Sequence, residues 1–230
     1  MSISTPRASL ASIDPDILAL LRERQVCVAF SGGKDSIALW NALRRHGVPI
    51  VAAYYMELGP RLSFVERHLA RCEEAYGVPI DRLPHWDTVR LLRNGILQSP
   101  RSYDRSQRLT RWTKDDIADW CRARSLTQVA GVRIHDSLPR RAAVRKGGAW
   151  SERFASAWPI WDWTKSQVLD EIRAGDVPLP VDYRLFGRSF DGIAHCVELA
   201  QHFPEDYGRM RIWYPMLYVE RERRRRQGRC

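Results

Sequence analysis

Val26-Cys27-Val28-Ala29-Phe30-Ser31-Gly32-Gly33-Lys34-Asp35-Ser36 decides how this chain folds. The first five residues form a short continuous apolar run, the pattern of a strand buried on both faces of a parallel sheet. Two glycines follow and let the backbone turn tightly. Ile37, Trp40 and Leu43 then recur at helical spacing, and Gly47 ends that helix. A strand, a glycine loop and a helix in this order bring the free N–H groups and the positive dipole end of the helix to the loop. Ser31 and Ser36 add hydroxyls and Lys34 adds a full positive charge. Together they predict a site for a tetrahedral anion, above all pyrophosphate.

Working outward, the same alternation continues in both directions. Asp14 to Arg24 reads as an amphipathic helix opened by Asp14-Pro15, with Ile17, Leu18, Leu20 and Leu21 on its apolar side. Pro49 to Tyr55 reads as a second strand. Leu62, Val65, Leu69, Cys72 and Tyr76 mark a helix with Gly77 just past its end, and Val78 to Leu83 a third strand. Thr113 with Asp116 predicts a capped helix through Arg124, followed by a buried strand over Thr127 to Val132. Trp163-Thr164-x-x-Gln167-Val168 is a capping box with a hydrophobic staple, opening a helix that stops at Gly175. Strands alternating with helices of this length imply βαβ units: an α/β fold with a mostly parallel sheet flanked by helices. From Val177 onward prolines and aromatic residues accumulate. The expected division is a nucleotide-binding α/β domain over residues 1–176 and a small, irregular, aromatic-rich subdomain with a basic tail over 177–230.

Composition narrows the function. The chain of 230 residues carries a net charge of +10, which favours a polyanionic partner: a phosphate-rich ligand, a nucleic acid, or both. Nearly all of the basic charge is arginine, and lysine stands only at 34, 114, 146 and 165. A compact ammonium in a tight phosphate loop is a place where the broader guanidinium is a poor substitute. The five cysteines, Cys27, Cys72, Cys121, Cys196 and Cys230, are scattered without Cys-x-x-Cys spacing, so neither disulfides, a zinc site nor an iron–sulfur cluster is expected. No apolar run approaches the length of a membrane span, and the start does not read as a secretion signal, so the expectation is a cytoplasmic protein with no membrane partner. His135 and the pair His195-Cys196 lack further ligands at metal spacing and read as structural groups.

The loop is not the ATPase P-loop, which needs glycine where Val28 stands and Ser or Thr where Asp35 stands. Ser31-Gly32-Gly33-Lys34-Asp35-Ser36 instead resembles the signature of the PP-loop ATP pyrophosphatases, a group that includes GMP synthetase, asparagine synthetase, tRNA-thiolating enzymes and sulfonucleotide reductases. That resemblance implies ATP at the carboxyl ends of the strands, Mg²⁺, and cleavage between the α- and β-phosphates, in many members with adenylylation of a substrate oxygen. A second stretch, Gly131-Val132-Arg133-Ile134-His135-Asp136-Ser137-Leu138-Pro139-Arg140-Arg141, is similar to the Gly-Ile-Arg-x-x-Glu-Ser-x-x-Arg element of the phosphoadenosine phosphosulfate reductase branch, with Asp136 in place of Glu. Trp158 to Thr164 resembles that branch's Pro-x-x-x-Trp-Thr segment. The resemblance covers roughly residues 26–175.

The residues implied for the site are Ser31, Gly32, Gly33, Lys34, Asp35, Ser36, Met56, Gly131, Arg133, Ser137 and Arg141 for the nucleotide, and Lys34, Asp35, Arg133 and Arg140 for catalysis. Chemistry supports the arginines independently: guanidinium groups clamp phosphate oxygens bidentately and offset charge developing on phosphorus. The plainer alternative is a surface cluster paired with Asp136. Tyr54, Tyr55 and Met56 end the second strand and read either as an adenine pocket or as core. Asp35 reads as a proton acceptor, an Mg²⁺ neighbour or a complement to the helix dipole. The sulfonucleotide reductases carry a nucleophilic cysteine in Glu-Cys-Gly-x-His, and this chain has no such string; its tail cysteine is Cys230 among arginines. Three readings follow: an enzyme that adenylylates an unknown acceptor, a sulfonucleotide reductase, and a nucleic-acid-binding module that keeps the loop as a phosphate anchor. The run Arg221 to Arg229 beside Trp213, Tyr214 and Tyr218 reads either as a nucleic-acid contact or as a solvated basic tail.

Overall fold

A six-stranded sheet in the order β3-β2-β1-β4-β6-β5 organises the chain. The computed structural model describes residues 10–100 and 109–228. Cys230, and with it the question of a tail-borne nucleophile, lies outside the described residues. The strands are β1 (Val26–Ala29), β2 (Ile50–Glu57), β3 (Ile80–Pro84), β4 (Thr127–Ala130), β5 (Trp150–Ser151) and β6 (Ser156–Ala157). β1 and β4 run parallel, with Val26 beside Thr127 and Ala29 beside Ala130. β4 and β6 are also parallel, and β5 folds back antiparallel on β6. That last hairpin has two residues per strand, too short for any periodicity to announce it in the sequence. The mostly parallel α/β architecture expected from the alternation is what the chain adopts.

Contacts divide the molecule into two compact units. The first combines Met1–Ala53 with Trp120–Leu179, and the second combines Tyr54–Asp119 with Pro180–Cys230. The crossing near residue 180 falls where the sequence pattern changes, while residues 54–119 group with the C-terminal segment.

In the first unit the central strand is as buried as its sequence requires: Val26, Cys27 and Val28 have no exposed surface. After β1, α2 (Lys34–Arg45) buries seven residues from Ser36 to Leu43. Trp40 meets Phe30 edge to face at 5.2 Å between ring centres. α7 (Lys165–Ala174) opens at the expected capping box, with Thr164 and Gln167 bonded reciprocally. It packs along α2. A Cβ on Gly175 would lie 2.1 Å from the Asn41 side-chain amide, so a larger residue there requires that amide to move. Arg45 closes the pair with two bonds to the buried Glu171, at 3.2 and 2.9 Å, and a third to the Ala11 carbonyl. A buried carboxylate met on both oxygens by one guanidinium is the arrangement in which burying charge is tolerable.

The second unit has its own core. α3 (Ser63–Tyr76) presents Phe64 to Phe186, Phe190 and Phe203, and α9 (Cys196–His202), α10 (Pro204–Trp213) and α11 (Leu217–Arg226) supply Leu199, Tyr207, Met210 and Leu217, with Tyr214 just past the end of α10. The segment after residue 177, expected to be irregular, is largely helical. Its prolines are the reason for the difference: Pro180 precedes α8 (Val181–Leu185) and Pro204 occupies the first turn of α10, positions where the missing N–H costs nothing. They start helices there. α3 illustrates the tertiary dependence of this unit. Its N-cap is Leu62, which has no polar side chain, and the buried Asp206 of α10 instead accepts from both the amide and the hydroxyl of Ser63, each at 2.8 Å.

The remaining helices among the described residues are α1 (Pro15–Arg22), α4 (Trp86–Arg93), α5 (Lys114–Arg122) and α6 (Leu138–Gly147). No helix among the described residues is long and apolar enough to cross a membrane.

Candidate functional site

β1 and β4 are neighbours in the sheet although two strands separate them in sequence, so the strand order reverses between them. In open α/β sheets ligands bind outside the carboxyl ends of strands at such a reversal. The loop Ser31–Ser36 leaves the end of β1, and Gly131 to Arg133 leave the end of β4. The topology therefore brings the two sequence-predicted elements side by side.

The loop is built to present backbone. Gly32 has φ +71°, the left-handed region that side chains disfavour. Gly33 is the extended N-cap of α2 and makes no side-chain cap hydrogen bond, so no cap side chain competes for the first-turn N–H groups that a helix leaves without intrahelical acceptors. Ser31 Oγ accepts from the Gly33 amide at 3.3 Å and lies 3.2 Å from Ser36 Oγ. The buried Ser36 hydroxyl donates to the Gly33 carbonyl at 2.9 Å. The two serines thus hold the loop's own shape, with Ser31 at the surface. Lys34 pairs with its neighbour Asp35 at the mouth of the turn.

Gly131 explains how tightly the second element docks. A Cβ there would stand 2.7 Å from both the carbonyl carbon and the oxygen of Asp35. Glycine at this position lets the chain leaving β4 cross the first turn of α2 backbone to backbone. Arg133 follows, with its side chain only 4% exposed. Its Nη2 donates to Asp136 at 2.6 Å and its Nη1 to the Trp163 carbonyl at 3.2 Å. Its Nε lies 2.7 Å from Asp35 Oδ1, an ion contact that is not aligned as a hydrogen bond. Asp35 Oδ1 is accordingly buried without a hydrogen-bond partner among the described residues. Asp136 also takes Arg140 Nη1 at 2.8 Å, forming a chain Lys34–Asp35–Arg133–Asp136–Arg140.

The chain matches no protein-family model and no curated protein. Its structure is similar to that of an NH3-dependent NAD synthetase from Campylobacter jejuni in complex with the nitrate ion, at 14% identity and a TM-score of 0.43, covering 94% of each chain. It is similar to the U34-tRNA thiolase NcsA from Methanococcus maripaludis with its [4Fe-4S] cluster, at 14% identity and a TM-score of 0.44, covering 90% of this chain and 75% of that one. An NMN synthetase from Francisella tularensis gives 11% identity and 0.43, covering 90% and 93%. At identities and scores this low, the likenesses carry no argument about what this chain does. Function has to be read from its own site residues.

The other sequence-predicted residues are placed as follows. Ser137 caps α6, accepting from the Arg140 amide at 3.4 Å. Arg140 and Arg141 sit on α6, which has no buried residue at all. Met56 is partly buried near the end of β2 in the second unit, where Tyr54 and Tyr55 are buried. Burial among carboxylates pushes the Tyr55 hydroxyl far up, as for a core phenol. His195 is buried, accepting from the Asp191 amide at 2.9 Å and contacting Arg188 at 3.1 Å, which fits the structural reading. Cys27, Cys72, Cys121 and Cys196 are all buried. Burial pushes the Cys72 thiol up to about 12 and the Cys196 thiol to about 11. In the tail, Glu220 binds Arg223 and Arg224 at 2.6 to 2.7 Å, so part of its basic charge is neutralised within α11.

Two contributors were not legible as site residues: the Trp163 carbonyl and Asp136 as a double bridge. Asp136 had a signal in its i−3 and i+4 arginines, the spacing at which charges meet on a helical turn. The Trp163 carbonyl had none.

Proposed function

We propose that this chain is a PP-loop enzyme that binds ATP or a close adenine nucleotide at Ser31–Ser36, cleaves the α–β phosphate bond and releases pyrophosphate, adenylylating an acceptor. The observation that carries the reading is the junction of β1 and α2. A left-handed Gly32 and an uncapped Gly33 turn first-turn amides toward an anion, beside the Lys34 ammonium. In the reaction an acceptor oxygen forms a bond to the α-phosphorus. The bond from that phosphorus to the bridging oxygen breaks, and its electron pair leaves with pyrophosphate. The first-turn amides and Lys34 meet the charge gathering on the leaving group, and being fixed beforehand they need no reorganisation.

Arg133 acts here as a positioning residue. It is buried, its Nη1 and Nη2 are hydrogen-bonded and its Nε is in ion contact with Asp35, so it holds Asp35 and Asp136 in place, while the exposed Arg140 is the guanidinium nearer to solvent. The Mg²⁺ that the resemblance implies does not fit Asp35 as it stands: its Oδ1 lies 2.7 Å from Arg133 Nε and its Oδ2 pairs with Lys34, so both oxygens already face cations and no step is drawn through the ion.

Titration calorimetry with ATP and Mg²⁺ tests the site. Lys34→Ala is expected to weaken binding at least tenfold, about 1.4 kcal/mol. Gly32→Val, strained at its positive φ, should do the same. Unchanged affinity in both variants would sink the assignment. Protection against heat by ATP, adenylyl sulfate or phosphoadenylyl sulfate identifies the nucleotide. For the reductase reading, the described cysteines are buried. Thioredoxin-dependent sulfite release that disappears in Cys230→Ser would move the chain to that branch.

A further inference from the structure

The second unit contains a cavity of about 270 Å³ that the loop reading does not use. Its wall is made by α4, through Trp86, Arg90 and Arg93, and by the segment entering α5, through Arg111, Trp112 and Lys114. Four of the lining residues are basic and none is acidic. Asp87 pairs with Arg90 at 3.0 Å and so compensates one of the four cations, while Asp116 accepts from the amide and hydroxyl of Thr113, both at 2.6 Å. Lys114 Nζ stands 5.5 Å from the centre of the Trp86 ring, whose neighbour His85 lies 4.8 Å away, ring centre to ring centre. The indole N–H of Trp112 is buried without a hydrogen-bond partner among the described residues, an expensive condition for a donor.

Cations and indole rings in one small hollow fit a ligand with two features. An anionic group answers the arginines and the lysine, and a planar ring answers the tryptophans. The volume lies just below the usual range for ligand cavities, which limits the occupant to a small unit. We propose that this cavity binds a single nucleotide, through its phosphate and its base. The nucleotide is either a free mononucleotide or the terminal residue of a single strand. Base–indole stacking tolerates any base, so the preference is for phosphate plus ring and not for one sequence.

The proposal is independent of the loop, and the test keeps the two apart. Uridine 5′-monophosphate is titrated into the full chain and into Lys34→Ala, which disables the loop. Equal binding to both is expected. Arg111→Glu with Lys114→Glu, both at exposed positions, is expected to weaken it at least tenfold while the melting temperature and ATP binding stay unchanged. Trp112→Ala removes one of the lining rings and should weaken it several-fold. Uridine without phosphate and inorganic phosphate alone should each bind at least tenfold more weakly than the nucleotide. A 5′-phosphorylated uridine dinucleotide separates the sources: tighter binding than the mononucleotide assigns a strand end, equal binding a free nucleotide. The proposal is overturned if the nucleotide does not bind, if binding vanishes in Lys34→Ala, if charge reversal leaves it intact, or if phosphate alone binds equally well.

Discussion

α2 and α6 begin alike and are held in opposite ways. Each follows the end of a parallel strand, β1 or β4, and the two strands are paired with Ala29 beside Ala130. α2 buries seven residues and starts with a glycine that offers no cap. α6 buries none, leaves Leu138 75% exposed, and depends on its start: the Ser137 cap and the Asp136 bridge between Arg133 and Arg140. The loop before α2 is therefore fixed by the core, as a phosphate cradle must be to act without reorganising. The arginines of α6 rest on an element with little to hold it, the kind of region that opens at low cost in free energy.

Breaking the link between the two helices should have the largest effect. Arg133→Ala leaves Asp35 and Asp136 facing each other without their shared cation, and removing one partner from a buried ion pair costs about 3–5 kcal/mol. A urea denaturation midpoint measures it; a loss under about 1 kcal/mol would mean the two elements are joined by other means. Within α2, Leu43→Ala is expected to cost about 2–5 kcal/mol, as for other fully buried leucines. Gly131→Ala comes next, at about 1–3 kcal/mol for an overpacked contact, because the new Cβ must displace the Asp35 backbone. It should also weaken ATP binding, which a purely structural glycine would leave alone. The same comparison predicts that Leu138→Ser changes stability by no more than about 0.5 kcal/mol. Amide hydrogen exchange should show α6 exchanging much faster than Ile37 to Leu43. Equal protection in the two helices would contradict the contrast between them.

A small, pH-dependent effect belongs to α11. Arg223 and Arg224 hold the Glu220 carboxyl below the usual glutamate range. A depressed carboxylate contributes stability above its unfolded value, about 4.3, and loses it as pH falls through the folded one. Glu220→Gln should therefore cost less than about 1 kcal/mol near neutrality, and nothing once the wild-type carboxyl is protonated. A cost that grows on acidification would reverse the sign of this pairing.

The legibility of the molecule follows the range of its interactions. Periodic burial revealed β1, α2 and α3, and local hydrogen bonds revealed the Thr164 box, because both are set within a few residues. The accumulation of prolines after Val177 pointed to an irregular segment, whereas Pro180 and Pro204 start helices, because a proline that starts a helix looks like one that stops it until the following turn has a core to pack on. The left-handed Gly32 could be anticipated from the loop string alone, since backbone geometry there is a property of consecutive residues. Gly131 could be quoted as part of a motif, but its reason could not: the atoms that exclude a Cβ belong to Asp35, nearly a hundred positions earlier in the chain.

By itself, the sequence determined the alternating strands and helices, the glycine turn after β1 and the charge of the chain, all consequences of side-chain type and spacing. Only the tertiary structure decided that Arg133 is buried between two carboxylates, that Asp206 caps α3 from α10, and that tryptophans and cations of α4 and the segment entering α5 enclose one hollow. Those arrangements depend on which distant residues are brought within a few ångströms, and electrostatic and steric contacts of that kind leave no period in the chain.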